Sequence, residues 1–388
     1  MVHAEHSSAR ASCRYKGFDT LKSMSFKLPS LPRSVLLCAT FMLGACSNLS
    51  YYTGLAKGQH ELMSARVPIR DIVQDEKQDS ALRERLSKVL DARAFATQQL
   101  RLPDNDSYTE YADLKRPYVV WNVFATPELS LKPIEHCFLF VGCLAYRGYF
   151  DQQKAQQQAD ELKLQGNDIY VSGIPAYSTL GWFDDPVINT MMNWSDAVLI
   201  GTVFHELAHQ KLYIKDDTVF NESFANFVGE EGLREYLATR GGSSAAEVLR
   251  KQREHRFIEL VLSARRRLEL LYKSNAPDQA KRDGKAVEFV RLRSEYQTLR
   301  ENDWKDFSGY DRWFSSDLNN ARLLPFGLYD EYVPAFAALF VEQGNDWNAF
   351  YTAAKSLSEL TKEKRTARLN VLLEVAASWA TITPQGTQ

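Results

Sequence analysis

Two histidines and a glutamate occur in the chain at the spacing that can hold and use a metal ion. His205, Glu206 and His209 form the motif HExxH. Residues i and i+4 lie on one face of an α-helix, one turn apart, so both imidazoles can reach the same ion. Glu206 lies about 100° around that helix from His205. From there it can hold a water at the metal and take its proton, which is the chemistry of metal-assisted hydrolysis.

The residues before the motif predict a largely buried helix. Val198, Leu199, Ile200, Val203 and Phe204 are all apolar. Two histidines and a glutamate on such a helix would be costly without a function, because buried polar groups need partners. The alternative is a pair of core histidines satisfied by ordinary hydrogen bonds. The combination of spacing and context favours a metal centre.

A catalytic zinc takes three protein ligands and a water, so a third residue has to complete the motif. The next candidates along the chain are Asp216, Asp217 and Glu222. A short turn at 214–217 would fold the following helix back antiparallel and bring its first turns towards His209. Asp216 or Asp217 is also suited to cap that helix, since aspartate is a favoured N-cap residue.

The elements that must position these residues fall into a small sheet region and a long helical region. Strand-type sequences at 118–124, 136–150 and 168–183 predict a small mixed sheet over roughly 118–183. Helical patterns are found at 81–100, 151–163, about 195–214, 217–239, 244–274 and 278–303, with more helix over 310–375. The expected fold class is α+β, with a large helical C-terminal part.

Composition excludes two broad classes of protein. Hydrophobic residues make up 45% of the chain, which is too apolar for a disordered protein. The 47 basic and 49 acidic residues give a net charge of −2, whereas a dedicated nucleic-acid binder shows a basic excess. The run Arg265–Arg267 is interpreted as a solvated helix face, because acids are interspersed along that helix. No nucleic-acid partner is expected.

The first 45 residues are predicted to be a sorting segment that is absent from the mature protein. A basic stretch precedes the short apolar segment 34–45, as in a secretory signal. Residues 1–23 contain no apolar run, so Met24 is expected to be the true start.

The end of the apolar segment resembles the bacterial lipobox, whose cysteine is lipidated and becomes the mature N-terminus. The matching residues are Leu43, Gly44, Ala45 and Cys46. By the same resemblance, Ser47 after the cysteine indicates the outer membrane. The mature chain is then expected to comprise a lipidated tether with a catalytic region over 46–240, and a helical region over 241–388 that packs on the site.

Several segments resemble the predicted zinc aminopeptidase family of Gram-negative bacterial lipoproteins. They are CSNLSYYTGLAKGQ at 46–59, VGCLAYRGYF at 141–150, AYSTLGWFDDP at 176–186, TVFHELAHQKLYIKDDTVFNESFANFVGEEG at 202–232 and NNARLLPFGLYDEYVPAF at 319–336. The resemblance implies a zincin-like fold of the glutamate-zincin type, with one Zn²⁺ per chain. It implies His205, His209 and Glu222 as ligands and Glu206 as the catalytic base. The third ligand belongs to Asn221–Ala225, which resembles the NExxA segment of glutamate-zincins.

The sequence also offers candidates for two further roles, stabilising the oxyanion and aligning the substrate. A hydroxyl or cationic donor normally stabilises the tetrahedral oxyanion. Tyr329 is the first candidate for this donor, and Tyr332 and Arg322 are the alternatives. An extended segment beside the site often aligns a peptide substrate, and 176–182 is expected to be such a strand. An ordinary core or edge strand is the alternative for this segment.

Cys137 and Cys143 are a possible disulfide. In one straight strand their Cα atoms would lie about 20 Å apart, far beyond the spacing of about 5.5 Å that a disulfide needs. They can bridge only if the chain turns at Val141–Gly142. Two buried free thiols are the alternative.

Together these features predict a zinc-dependent peptidase that hydrolyses peptide bonds in the periplasm, with aminopeptidase activity favoured. The partners expected are a peptide or protein substrate and the outer membrane, reached through a lipid anchor at Cys46. One alternative is an envelope endopeptidase, which would have a through-going cleft. Another is a lipoprotein scaffold that uses zinc structurally, although such a site has no use for the base Glu206.

Overall fold

The structure, a computed structural model, describes residues 33–138, 142–179, 181–241, 245–326 and 331–382. Contacts divide the chain into a first unit that ends at Tyr51 and a second unit from Tyr52 to Gln388. The second unit contains residues of both predicted mature regions, 46–240 and 241–388. The predicted tether, 46–60, is helical and belongs to α1 (Arg33–Ser64).

The helices and strands confirm the α+β class. The remaining helices are α2 (Ile69–Gln74), α3 (Ser80–Gln98), α4 (Gln152–Leu164), α5 (Asp196–Lys211), α6 (Thr218–Ala238), α7 (Ala245–Lys273), α8 (Asp278–Asn302), α9 (Asp311–Ser315), α10 (Val333–Glu342), α11 (Trp347–Ser358) and α12 (Lys362–Ile382). The strands are β1 (Arg66–Pro68), β2 (Glu110–Ala112), β3 (Val120–Pro127), β4 (His136–Phe138), β5 (Gly142–Leu144), β6 (Tyr146–Tyr149), β7 (Asn167–Ile174) and β8 (Val187–Ile188).

The strands form two small sheets and a hairpin. β3 lies between β6 and β7 and is antiparallel to both, with Trp121 opposite Tyr149 on one side and Gly173 on the other. The sheet inside 118–183 is therefore antiparallel rather than mixed. Mixed pairing occurs in the other sheet, where β2 is antiparallel to β1 and parallel to β8. Strands this short show no period-2 pattern, so the sequence did not reveal this sheet.

The prediction of a strand over 176–182 is wrong for the residues described there. After β7 ends at Ile174 the chain forms an irregular loop that is folded around the carboxylate of Asp185. Thr179 donates to this carboxylate from its backbone N at 2.7 Å and from Oγ1 at 2.9 Å. Ser178 Oγ lies 3.3 Å from it. These local side-chain bonds compete with strand pairing, which explains the loop.

Most of the buried apolar residues described in the second unit belong to two hydrophobic cores. The larger core packs α3, α5, α6, α10 and α11 together, and Phe204, Phe224 and Phe336 are fully buried in it. The smaller core joins α7 and α8 to the segment around 304–323, where the rings of Tyr296 and Phe314 stack with centroids 3.8 Å apart. The predicted long helices over 244–274 and 278–303 are confirmed by α7 and α8.

Candidate metal centre

The helix α5 carries the HExxH motif through the larger core. It begins after Ser195, whose Oγ accepts a hydrogen bond from Val198 N at 3.2 Å and so caps the helix. Leu199, Val203 and Leu207 are buried on its core face. Burial of this face fixes the rotation of α5, and His205 and His209 consequently lie together, one turn apart.

A tight turn after α5 sends α6 back antiparallel, as the spacing predicted. The side chain of Asn221 holds this turn by accepting from Ile214 N at 2.8 Å and donating to Ile214 O at 2.7 Å. The two helices then approach so closely that a β-carbon at Gly229 would lie 2.9 Å from Gly201 O and 3.2 Å from His205 Cβ. Glycine at 229 thus permits α6 to lie against the face of α5 that carries His205.

Asp217 caps α6, as expected for one of the two aspartates, and it also forms a buried ion pair. Its Oδ1 accepts from Phe220 N at 3.4 Å. Its Oδ2 accepts from Arg365 Nε at 3.0 Å and Nη2 at 2.6 Å, with side-chain exposures of 6% for Arg365 and 10% for Asp217. This pair joins the start of α6 to α12. Asp217 therefore contributes a buried ion pair in addition to the helix cap that the sequence predicted.

Replacing Arg365 by methionine is expected to lower the free energy of unfolding by about 3–5 kcal/mol, because Asp217 would stay buried without its partner. Arg368→Met is the matched control. Arg368 lies on the same helix but its pair with Glu342 is largely exposed, so its loss should cost at most about 1 kcal/mol. Urea denaturation of both variants measures the difference, and equal losses would contradict a structural role for the buried pair.

The fold brings His205, His209 and Glu222 together at one point. The two histidine Nε2 atoms lie 3.1 Å apart, and Glu222 Oε2 lies 3.5 Å from the first and 3.6 Å from the second. Among the described residues these three form a group whose ligand atoms could hold one metal ion. A tetrahedral zinc with bonds of about 2.0–2.2 Å needs ligand atoms about 3.3–3.6 Å apart. The two distances to Glu222 lie within this range and the distance between the histidines is about 0.2 Å shorter, so the group could hold a metal ion of this size.

Glu222 and His205 each stabilise the charged form of the other. Burial would raise the pKa of Glu222, but hydrogen bonds and charge from His205 and His209 outweigh it and lower the pKa to about 2. Burial lowers the pKa of His205, but its interactions with Glu222, Glu206 and Asn226 raise the pKa by more. The net change is an increase. Three electron-rich atoms this close repel one another unless a cation or shared protons lie between them.

One residue that supports the ligands was not anticipated from the sequence. Asn226 lies one turn after Glu222 on α6 and hydrogen-bonds the side chain of His205. Such outer-shell bonds orient a ligating imidazole. By contrast, His209 Nδ1 is buried with no hydrogen-bond partner among the residues that the structure describes. The spacing of four between Glu222 and Asn226 was the signal available in the sequence.

Glu206 lies beside the ligands but is not part of the three-residue group. It is near the buried carboxylate of Asp185, and near Tyr108. Burial raises the pKa of Asp185 to about 6, and the negative charge of Glu206 adds to this increase. The hydrogen bonds from Thr179 and Ser178 act in the opposite direction and lower the pKa. Asp185 also accepts a bond from Tyr108 N at 2.7 Å through its backbone O. The loop around Asp185 thus forms one wall beside Glu206.

The structure describes two of the three candidate oxyanion donors. Tyr329 lies outside the described residues. Arg322 lies over the rings of Tyr170 and Trp313, 4.7 and 5.3 Å from their centroids, which places its guanidinium in an aromatic cluster. Tyr332 is buried, and its backbone N donates to Ser223 Oγ at 3.1 Å on the helix that carries Glu222.

Two tyrosines that the sequence did not single out are close to the third ligand. Burial, followed by the charge of Glu222, raises the pKa of Tyr146 on β6 and of Tyr213 in the turn after α5. The ring of Tyr213 lies 6.3 Å from that of His209. Neither tyrosine is at a position of the HExxH or NExxA motif, so only the folded chain shows that they lie near Glu222.

Cys137 and Cys143 form a disulfide between β4 and β5, where they are directly opposite partners. Their Cα atoms are 3.9 Å apart, and the connecting residues 139–141 lie outside the described part of the chain. Gly142 has φ +78° at the start of β5, and a β-carbon there would meet Asp216 Oδ1 at 2.7 Å. The hairpin therefore lies against the turn between α5 and α6.

No helix within the described residues has both the length and the apolar character needed to cross a membrane.

A family model described as "Putative aminopeptidase" matches residues 50–369. Comparison with curated proteins and with solved structures found no match. The family match covers α2 to α11, the candidate metal centre and the start of α12. On this evidence the chain belongs to the family described as "Putative aminopeptidase".

Proposed function

We propose that this protein is a zinc-dependent aminopeptidase with one Zn²⁺ per chain. The observation that supports zinc most directly is the convergence of two imidazole nitrogens and one carboxylate oxygen at separations of 3.1–3.6 Å. A structural zinc site normally has four protein ligands, whereas three leave one position open for water or substrate. Membership of an aminopeptidase family supports a peptide as the substrate.

The residues of the chain have separate roles in this mechanism. His205, His209 and Glu222 would hold the ion, and Asn226 would orient His205. When bound, zinc would act as a Lewis acid on the peptide carbonyl and lower the pKa of an attacking water. Glu206 takes a proton from that water as it attacks, and then delivers the proton to the nitrogen of the departing amine.

The proposed location is the periplasmic side of the outer membrane, with the chain attached through lipid at Cys46. The support is the resemblance of residues 43–46 to a lipobox after a short apolar segment. Cys46→Ala should then abolish acyl labelling and leave uncleaved precursor in whole cells. Labelling and processing that persisted in this variant would contradict the lipid attachment.

Aminopeptidase and endopeptidase activity are distinguished by the substrate's amino terminus. We expect zinc-loaded protein to remove residues from peptides with a free α-amine and to leave the same peptides intact when they are N-acetylated. Mass spectrometry of matched free and acetylated peptides measures this. Internal cleavage of acetylated peptides would instead identify an endopeptidase, and no hydrolysis of either set would contradict peptidase function.

A further inference from the structure

A cleft of about 760 Å³ opens beside the metal centre, between α5, α6, α7 and α10. Its volume lies within the range of ligand-binding sites in proteins. Among the described residues, His205 and Glu206 line it, whereas His209 and Glu222 do not. The cleft therefore meets the metal centre on the side of the base rather than on the side of the other two ligands.

The position of Glu206 determines which half of a substrate this cleft would receive. In the proposed mechanism Glu206 delivers a proton to the nitrogen that leaves, so the leaving group has to lie next to it. A peptide extends from that nitrogen towards its C-terminus. The part of the substrate that follows the cleaved bond would thus enter the cleft that Glu206 lines.

The inner wall of the cleft is apolar. Ala197 and Val198 line it from α5, and Val333, Pro334 and Ala337 line it from α10. Apolar surfaces of this kind favour apolar side chains, because binding removes both surfaces from water. This wall would therefore select the side chains of residues that follow the cleaved bond.

Every acid that the structure describes at the rim of the cleft has a basic partner, and the four acids outnumber the three bases because Glu247 and Glu254 share Arg250. Lys251 pairs with Glu230, Arg250 with Glu247 at 2.5 Å, and Arg234 with Glu231 at 2.6 Å. All six of these residues line the cleft. An acid that is already paired is a poor site for a substrate ammonium group. No rim carboxylate among the described residues is left unpaired for the substrate's amino terminus, in agreement with the direction inferred from Glu206.

From these observations we infer that this cleft binds the leaving-group side of a peptide and prefers apolar residues after the cleaved bond; the inference rests on the proposed peptidase function. Val198 precedes Glu206 by eight residues, which is about 12 Å along α5. An extended peptide advances about 3.3 Å per residue, so it passes Val198 at about the third or fourth residue after the bond. Peptides with three or four residues after the cleaved bond are therefore better substrates than peptides with a single residue after it.

The test compares two peptides that share the cleaved bond but carry one or four apolar residues after it. In the zinc-loaded wild type, kcat/KM should be at least tenfold higher for the longer peptide. Val198→Trp narrows the cleft from α5, and it should reduce this long-to-short ratio by at least tenfold. Val248→Trp narrows it from α7 and should also lower the ratio. The Val248 side chain lines the cleft and is 50% exposed, so folding should be preserved.

Val290→Trp is the matched control, because Val290 lies on α8 with 65% exposure and does not line the cleft. This variant should keep the wild-type ratio. If the wild type hydrolyses peptides but both cleft variants also keep the ratio, the cleft inference is overturned and the proposed function stands. If zinc-loaded wild type hydrolyses neither peptide, the proposed function fails and this inference fails with it.

Discussion

Glu206→Gln is expected to lower peptide hydrolysis by about 10²–10⁴-fold, the usual contribution of a general acid–base group, without loss of zinc. Glutamine is nearly the same size as glutamate but cannot accept the proton of the attacking water. The three donor atoms that converge belong to His205, His209 and Glu222, so the substitution leaves them in place. Initial rates and zinc content, measured on the same preparation, check both parts of this prediction.

Glu259→Gln is a matched control for the loss of a carboxylate. Glu259 lies on α7 with 55% side-chain exposure, and its ion pair with Arg256 at 3.0 Å is in solvent, where such pairs contribute little to stability. It should retain the wild-type rate. Zinc lost from Glu206→Gln would indicate that Glu206 is a ligand or supports one, and an unchanged rate would show that another group acts as the base.

Glu222→Ala is expected to weaken zinc binding by more than 100-fold, because it removes one of three protein ligands. Asn226→Ala removes only the partner of His205 and should weaken binding by about 10–100-fold, which is typical for an outer-shell residue. Competition of each variant with a chelator of known affinity measures its zinc dissociation constant and so ranks the two substitutions. The account predicts that Glu222 contributes more than Asn226.

Asp216→Ala is the control for the alternative third ligand. Asp216 is exposed and lies in the turn before α6, where its carboxylate contacts the hairpin at Gly142. Zinc retained in Glu222→Ala but lost in Asp216→Ala would move the third ligand into that turn. Asp217 is a poorer control, because its loss would also leave Arg365 buried without a partner.

The features that the sequence predicted correctly are those with local signals. The HExxH motif, the apolar positions before it and the cap at Ser195 are all within one helix. The short turn at 214–217 predicted the return of α6 towards His209. The residues alone left Asp216, Asp217 and Glu222 open as the third ligand, and the resemblance favoured Glu222. Long helices such as α7 and α8 have enough residues for their periodicity to be clear.

The features that the sequence did not predict depend on contacts between distant segments of the chain. The sheet of β1, β2 and β8 pairs strands of two or three residues from three parts of the chain. Arg365 meets Asp217 across 148 positions, and nothing near either residue indicates the pair. Tyr146 approaches Glu222 only because β6 pairs with β3 beside the metal centre. Such placements follow from tertiary packing rather than from local propensity.

Zinc titration into chelated protein tests whether peptide hydrolysis depends on one bound zinc per chain. The metal-free wild type is loaded stepwise with Zn²⁺, and bound zinc and peptide hydrolysis are measured at each step. The account predicts no hydrolysis without metal, then a linear rise that ends at one zinc per chain, since one three-ligand group is present among the described residues. Hydrolysis at the full rate by metal-free protein would contradict the account, as would full zinc loading with no hydrolysis of any peptide.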